Sequence, residues 1–141
     1  MQHGLCVLDD DMATLLREVE WADCLVLASP MNAGSVTAVM KRFIERLICF
    51  GYWPWGMAAP KSRNPAKTKR AVLVASSAAP AFFARFSGDV TRLLKVAANL
   101  MGARTVGILF IGLVAQKQHQ ELGKRSKAKA RLLGQKLAEG M

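Results

Sequence analysis

At 141 residues the chain is one domain by length, long enough to bury roughly two-thirds of the surface its unfolded form exposes. With 52% apolar and 21% charged residues it has a globular composition, and no apolar run approaches the roughly 20 residues of a membrane span. The net charge of +10 comes from 20 Lys+Arg against 10 Asp+Glu, most of the excess lying in Lys61–Arg70 and Lys117–Lys136. A field of that sign attracts nucleotide phosphates, nucleic acid or acidic protein, although charge runs are more often plain solvated surface.

The amino terminus has no basic region followed by a long apolar core, so the expectation is a cytoplasmic protein with reduced thiols. Cys6, Cys24 and Cys49 are well separated and include no C-x-x-C pair, which argues against a disulfide framework and against a complete metal site.

In chain order, Asp9-Asp10-Asp11 precedes Met12, Leu15, Leu16 and Val19. That i, i+3, i+4, i+7 stripe predicts a helix over about 9–20, with carboxylates placed to cap its free N–H groups. Leu25-Val26-Leu27-Ala28, bounded by Pro30, predicts a buried strand. The small-residue stretch Ser29-Pro30-Met31-Asn32-Ala33-Gly34-Ser35 then makes a tight turn, with Ser35 the expected N-cap of an amphipathic helix over 36–48. On its polar face Lys41 and Glu45 are spaced for an i, i+4 pair.

Residues 50–69 read as a long loop with an aromatic cluster at Tyr52-Trp53-Pro54-Trp55. Ala71–Ala75 predicts a second buried strand, followed by the small residues Ser76-Ser77-Ala78-Ala79-Pro80. A helix over about 88–101 ends at Gly102, where a left-handed residue is wanted. A third strand over about 104–113 and a basic helix over about 117–138 complete the order α-β-α-β-α-β-α.

Alternation of this kind calls for a parallel sheet with right-handed crossovers, an α/β fold. Helices 36–48 and 88–101 are expected on one face and the carboxyl-terminal helix on the other. Three strands are few for such a sheet, and strand 25–29 is left with an unpaired apolar edge. The strand–turn–helix at Ser29–Ser35 forms a ligand crevice at the carboxyl end of a strand.

The linked pieces Cys6-Val7-Leu8-Asp9-Asp10-Asp11-Met12, Trp21-Ala22-Asp23, Ser29-Pro30-x-x-x-Gly34-Ser35 and Lys41-x-Phe43-Ile44-x-Arg46 make a recognisable series. The chain resembles the flavodoxin-like NAD(P)H-dependent FMN reductase family, including its iron–sulfur flavoprotein branch. The resemblance implies a three-layer α-β-α flavodoxin-like fold in a single domain over 1–141. What is present corresponds to the third, fourth and fifth strands, without the first strand and the phosphate-binding loop.

It also implies cofactor-binding residues at Ser29, Pro30, Met31, Asn32, Ala33 and Gly34, bordering the flavin ring with backbone N–H groups, and at Ser76, Ser77 and Ala78 in a second flavin-facing loop. Asn32 stands where many relatives carry an aromatic residue. Cys6 resembles the last cysteine of the family's cysteine-rich segment, whose partners this chain lacks, so no iron–sulfur cluster is expected from it alone. His3 and His119 read as terminal and solvated residues. Trp53 and Trp55 fit either a cover over flavin or nicotinamide or a dimer interface.

The function implied is a flavoprotein oxidoreductase that passes hydride from NAD(P)H to FMN and on to an acceptor; Arg63, Lys67, Lys69 and Arg70 are expected as contacts for NADP phosphate on their charge alone. No side-chain acid, base or nucleophile is needed, because the cofactor carries the chemistry. The alternative is a flavodoxin-like fragment that does not bind FMN and serves as an interaction or structural module. Nucleic-acid binding through 117–136 ranks last, since that tail lacks a recognition motif and interleaved aromatics. The resemblance and the bare strand edge both favour a homo-oligomer.

Overall fold

The computed structural model describes residue 8, residues 10–63 and residues 65–139. The readings of His3, Cys6 and Asp9 lie outside them. Helix α1 (Met12–Trp21) buries Met12 and Leu16, and the Asp10 carboxylate accepts the Met12 N–H at 3.0 Å, so the expected capping comes from Asp10. Strand β1 (Cys24–Pro30) follows, then α2 (Ala38–Arg46) and a 3-10 turn over Leu47–Phe50. The N-cap of α2 is Thr37 and not Ser35: Thr37 Oγ1 accepts the Met40 N–H at 3.3 Å, whereas Ser35 is held in the preceding turn.

The loop expected over 50–69 contains a small antiparallel ribbon, β2 (Gly51–Tyr52) against β3 (Lys61–Ser62). Strand β4 (Lys69–Ser76) leads into a helix the sequence reading missed, α3 (Ala81–Ser87), and then α4 (Val90–Leu100). Gly102 closes α4 at φ 71°, as its position required. Strand β5 (Ala103–Ile111) precedes α5 (Lys124–Ala138). The basic helix therefore starts seven residues later than its charge run suggested, because residues 117–123 carry no buried apolar face to fix them.

The sheet is parallel, in the order β1-β4-β5. Its register places Leu25, Leu27 and Ser29 beside Ala71, Leu73 and Ala75 on one face, and Val26 and Ala28 beside Val72 and Val74 on the other. The first face forms the main core with Met12 and Leu16 of α1, Ile44 of α2, Leu47, and Val90, Leu94, Ala97 and Ala98 of α4. Among the described residues the second face is covered by α5 alone, through Ala130, Leu133 and Leu137 on Val72, Val74 and Leu109.

One helix cannot span three strands. Val26 is 60% exposed on the uncovered part, beside an apolar groove bounded by Val74, Leu133, Gly134 and Leu137. The unpaired edge expected for the first strand is thus present in the described structure: β1 pairs with β4 on one side only.

Candidate functional site

Parallel strands with helical crossovers leave a crevice beyond their carboxyl ends, and here three loops meet there. The first begins at Ser29, which is buried with its hydroxyl fully engaged: Oγ donates to Pro30 O at 2.9 Å and accepts the Thr37 N–H at 3.1 Å. Ser29 thereby ties the end of β1 to the start of α2. Met31 N–H donates to Ser76 O at 2.7 Å, fastening this loop to β4.

Asn32 and Ser35 then exchange backbone hydrogen bonds, both at 2.9 Å, around Ala33 at φ 47° and Gly34 at φ 80°. Two successive positive φ values make this a type I′ turn, in which the two central amides point away from the ladder. Asn32 and Ala33 are exposed at its tip.

The second loop carries Ser76, Ser77 and Ala78. Ser77 is buried; its N–H donates to Ile111 O at 2.9 Å, its Oγ to Ala79 O at 2.7 Å, and its carbonyl accepts the Val114 N–H at 3.1 Å. Ala78 is exposed, and Ser76 lies half-buried opposite Pro30 in the sheet register.

Two glycines lock the loops together. A Cβ on Gly88, between α3 and α4, would lie 2.5 Å from Gly34 O and 2.7 Å from Met31 Sδ. One on Gly112, after β5, would lie 2.2 Å from Ala81 N. Such approaches are open only to glycine. Asp89 N–H also donates to Gly34 O at 2.8 Å, so α4 braces the turn directly.

The two loops that carry the nine residues singled out from the sequence lie side by side at the carboxyl ends of β1 and β4, joined by the Met31–Ser76 bond. Ala28, Ser29, Pro30, Val74, Ala75 and Ser76 line a shallow, mainly apolar depression of about 170 Å³ at the margin of the crevice. Small apolar walls and an outward-facing turn suit the edge of a planar heteroaromatic ring. The hydroxyls of Ser29 and Ser77 serve as internal braces of these loops.

The basic residues at the start of β4 lie elsewhere. Lys69 Nζ donates to Glu20 O and Ala22 O, both at 2.7 Å, and Arg70 reaches Cys24 Sγ at 3.9 Å. Both stand at the amino end of the sheet, about 20 Å along β4 from Ser76. The aromatic ribbon is also anchored away from the crevice, since Arg63 donates to Cys49 O and Phe50 O, beyond the carboxyl end of α2.

The model of the flavodoxin-like fold family Flavodoxin_2 matches residues 4–134. The chain belongs to that family. A curated iron–sulfur flavoprotein of Archaeoglobus fulgidus is 46% identical to it over 54 residues, 38% of this chain and 24% of that protein.

Among solved structures, the flavodoxin-like chain superposes on an NADH:FMN oxidoreductase in its apo form with a TM-score of 0.60 at 16% identity, over 93% of this chain and 60% of the other. An FMN-dependent NADH-azoreductase of Bacillus anthracis in complex with FMN gives a TM-score of 0.60 at 11% identity, over 91% of this chain and 59% of the other. At those identities the likeness is one of fold. This family member spans about three-fifths of the length of these two structures. Among its described residues no helix is long and apolar enough to cross a membrane.

Proposed function

We propose that this chain supplies the ring-facing half of an FMN site in an NAD(P)H-dependent flavoprotein oxidoreductase. The carrying observation is the type I′ turn at Ala33-Gly34, braced by Gly88 and Asp89 and set beside Ser76-Ser77-Ala78 at the carboxyl ends of β1 and β4. The Archaeoglobus relative's name and the neighbours' association with FMN and NADH support the same reading.

Bound flavin supplies hydride acceptance from NAD(P)H and electron delivery to an acceptor. The chain's own part is positional. Ala33, Gly34 and Ala78 direct backbone N–H groups at the polar edge of the ring, and the depression beside Pro30 and Val74 takes its apolar body. Ser29 and Ser77 spend their hydroxyls keeping the loops in register, so the donors are fixed before ligand arrives and little ordering is left to oppose binding.

Lys69 and Arg70 stand at the opposite end of the sheet from this crevice, so we assign neither to a nicotinamide phosphate. The test is an amide-resolved NMR titration with FMN. Shifts centred on Ala33, Gly34 and Ala78, with NAD(P)H oxidation by the flavin-loaded protein, are expected; shifts confined to the basic tail would reject the assignment.

A further inference from the structure

The β2–β3 ribbon and its connecting loop divide by chemistry into two layers. Residues Trp53–Pro60 carry no charge, and all of them but Pro54 are exposed. Lys61, Arg63 and Lys67 follow, exposed as well, and no acidic residue occurs between Glu45 and Asp89.

The apolar tip has a fixed shape. Met57 N–H donates to Pro54 O at 3.2 Å around Gly56 at φ 79°, a tight turn that carries Trp55 on its corner. Trp53 Nε1–H donates to Met57 O at 3.0 Å and closes the same turn from the side. Trp55 is fully exposed, while Trp53 and Met57 are 61% and 46% exposed. At the base of the ribbon the Arg63 guanidinium lies 5.4 Å from the centre of the Tyr52 ring and donates to Cys49 O at 3.0 Å, which ties the basic layer to the 3-10 turn after α2.

We propose that this ribbon docks the chain on an anionic lipid surface, with Trp53, Trp55 and Met57 entering the interfacial layer and Lys61, Arg63 and Lys67 meeting the headgroups. Tryptophan suits that boundary because its ring has an apolar body and a polar N–H. Charge complementarity selects an acidic surface: the cations follow the tip directly, close enough for headgroup charge to act on them unscreened.

The layering favours lipid over nucleic acid. Aromatics that stack on bases line a groove that is itself positively charged, whereas here both tryptophans stand on an uncharged tip ahead of the cations. That tip is open, since nothing lies within 4 Å of a Cβ added at Gly56. The ribbon is anchored beyond the carboxyl end of α2, away from the crevice, so docking leaves the crevice to its own ligand and does not depend on flavin.

Co-sedimentation of the 141-residue chain with phosphatidylcholine vesicles, with and without about 30% phosphatidylserine, in about 0.1 M salt, tests this. Binding to the serine-containing vesicles with a blue shift of tryptophan emission is expected. Trp53→Ala/Trp55→Ala should lower the partition coefficient about tenfold or more, and Lys61→Gln/Lys67→Gln about tenfold. Trp55→Ser alone, at a fully exposed side chain, should give a loss of about fivefold and keeps the readout should the double variant disturb the turn. Trp21→Ala is the control: this residue is 91% exposed but lies between Glu20 and Asp23 in sequence, and its loss should change nothing. A wild type that ignores anionic vesicles, or tryptophan variants that bind them like the wild type, would overturn the proposal. So would binding lost through Lys129→Gln/Lys136→Gln but kept in the ribbon variants, which would assign it to α5. A chain that takes up single-stranded oligonucleotide through Trp53 and Trp55 and no vesicle would overturn it in favour of nucleic acid.

Discussion

Leu133 of α5 rests directly on Gly107 of β5: a Cβ at position 107 would lie 2.1 Å from Leu133 Cδ2. That contact lets α5 come down onto the second face of the sheet, where Leu133 joins Val72 and Leu109 in a separate apolar cluster. Gly107→Ala displaces Leu133 from its seat, by rotation of its side chain or by a shift of the helix. Overpacking of this kind costs about 1–3 kcal/mol, to be read as a lowered thermal midpoint. The same substitution at Gly134, where nothing lies within 4 Å of the added methyl, should stabilise the helix by about 1 kcal/mol.

The crevice depends on Gly88 in a different way. Alanine there would collide with Gly34 O and Met31 Sδ and push the type I′ turn outward. The expected result is FMN affinity reduced by about tenfold, equivalent to about 1.4 kcal/mol. Isothermal titration of the wild type and Gly88→Ala with FMN measures it.

Thr37 and Ser35 offer a direct contrast. Thr37 caps α2 through its hydroxyl while its N–H is held by Ser29, so Thr37→Ala should cost about 1 kcal/mol in chemical denaturation. Ser35→Ala, which leaves the backbone pairing with Asn32 intact, should cost clearly less. Equal losses would return the cap to Ser35.

Arg46 holds the Asp10 carboxylate through paired hydrogen bonds, and the Met12 N–H adds another. These bonds, the Arg46 contact foremost, hold the Asp10 pKa below its ordinary 3.8. A lowered carboxylate value stabilises the fold above the unfolded value, and the contribution disappears as pH falls through the folded one. The difference in thermal midpoint between wild type and Asp10→Asn should therefore be constant from pH 7 to pH 5 and shrink below about pH 4. A difference independent of pH would exclude the carboxylate as its source.

Local patterning made the sheet legible. Leu25–Ala28 and Ala71–Ala75 are continuous apolar runs between helices, and strands of that kind belong in a parallel sheet covered on both faces. The small residues at Ser29–Gly34 and Ser76–Ala78 identified the crevice because backbone must come close there. Helix α3 escaped notice because its apolar residues face solvent: Phe82, Phe83 and Phe86 follow no buried stripe, and Ala84 alone is too small a signal. Thr37 was passed over for Ser35 because both are good caps, and only the Asn32–Ser35 pairing decides between them. The roles of Gly88 and Gly112 lie in contacts between segments far apart in sequence, which no local pattern carries. The amino-end position of Lys69 and Arg70 follows from strand direction, which charge alone does not disclose.

The central claim is that these loops hold a flavin by its ring. It is tested most directly by parallel fluorescence-quenching titrations of the folded chain with FMN and with riboflavin, which lacks the phosphate. Saturable quenching by both, with dissociation constants within about threefold of each other, is the predicted result. A folded chain that quenches neither flavin would contradict the account and leave the crevice without its proposed ligand.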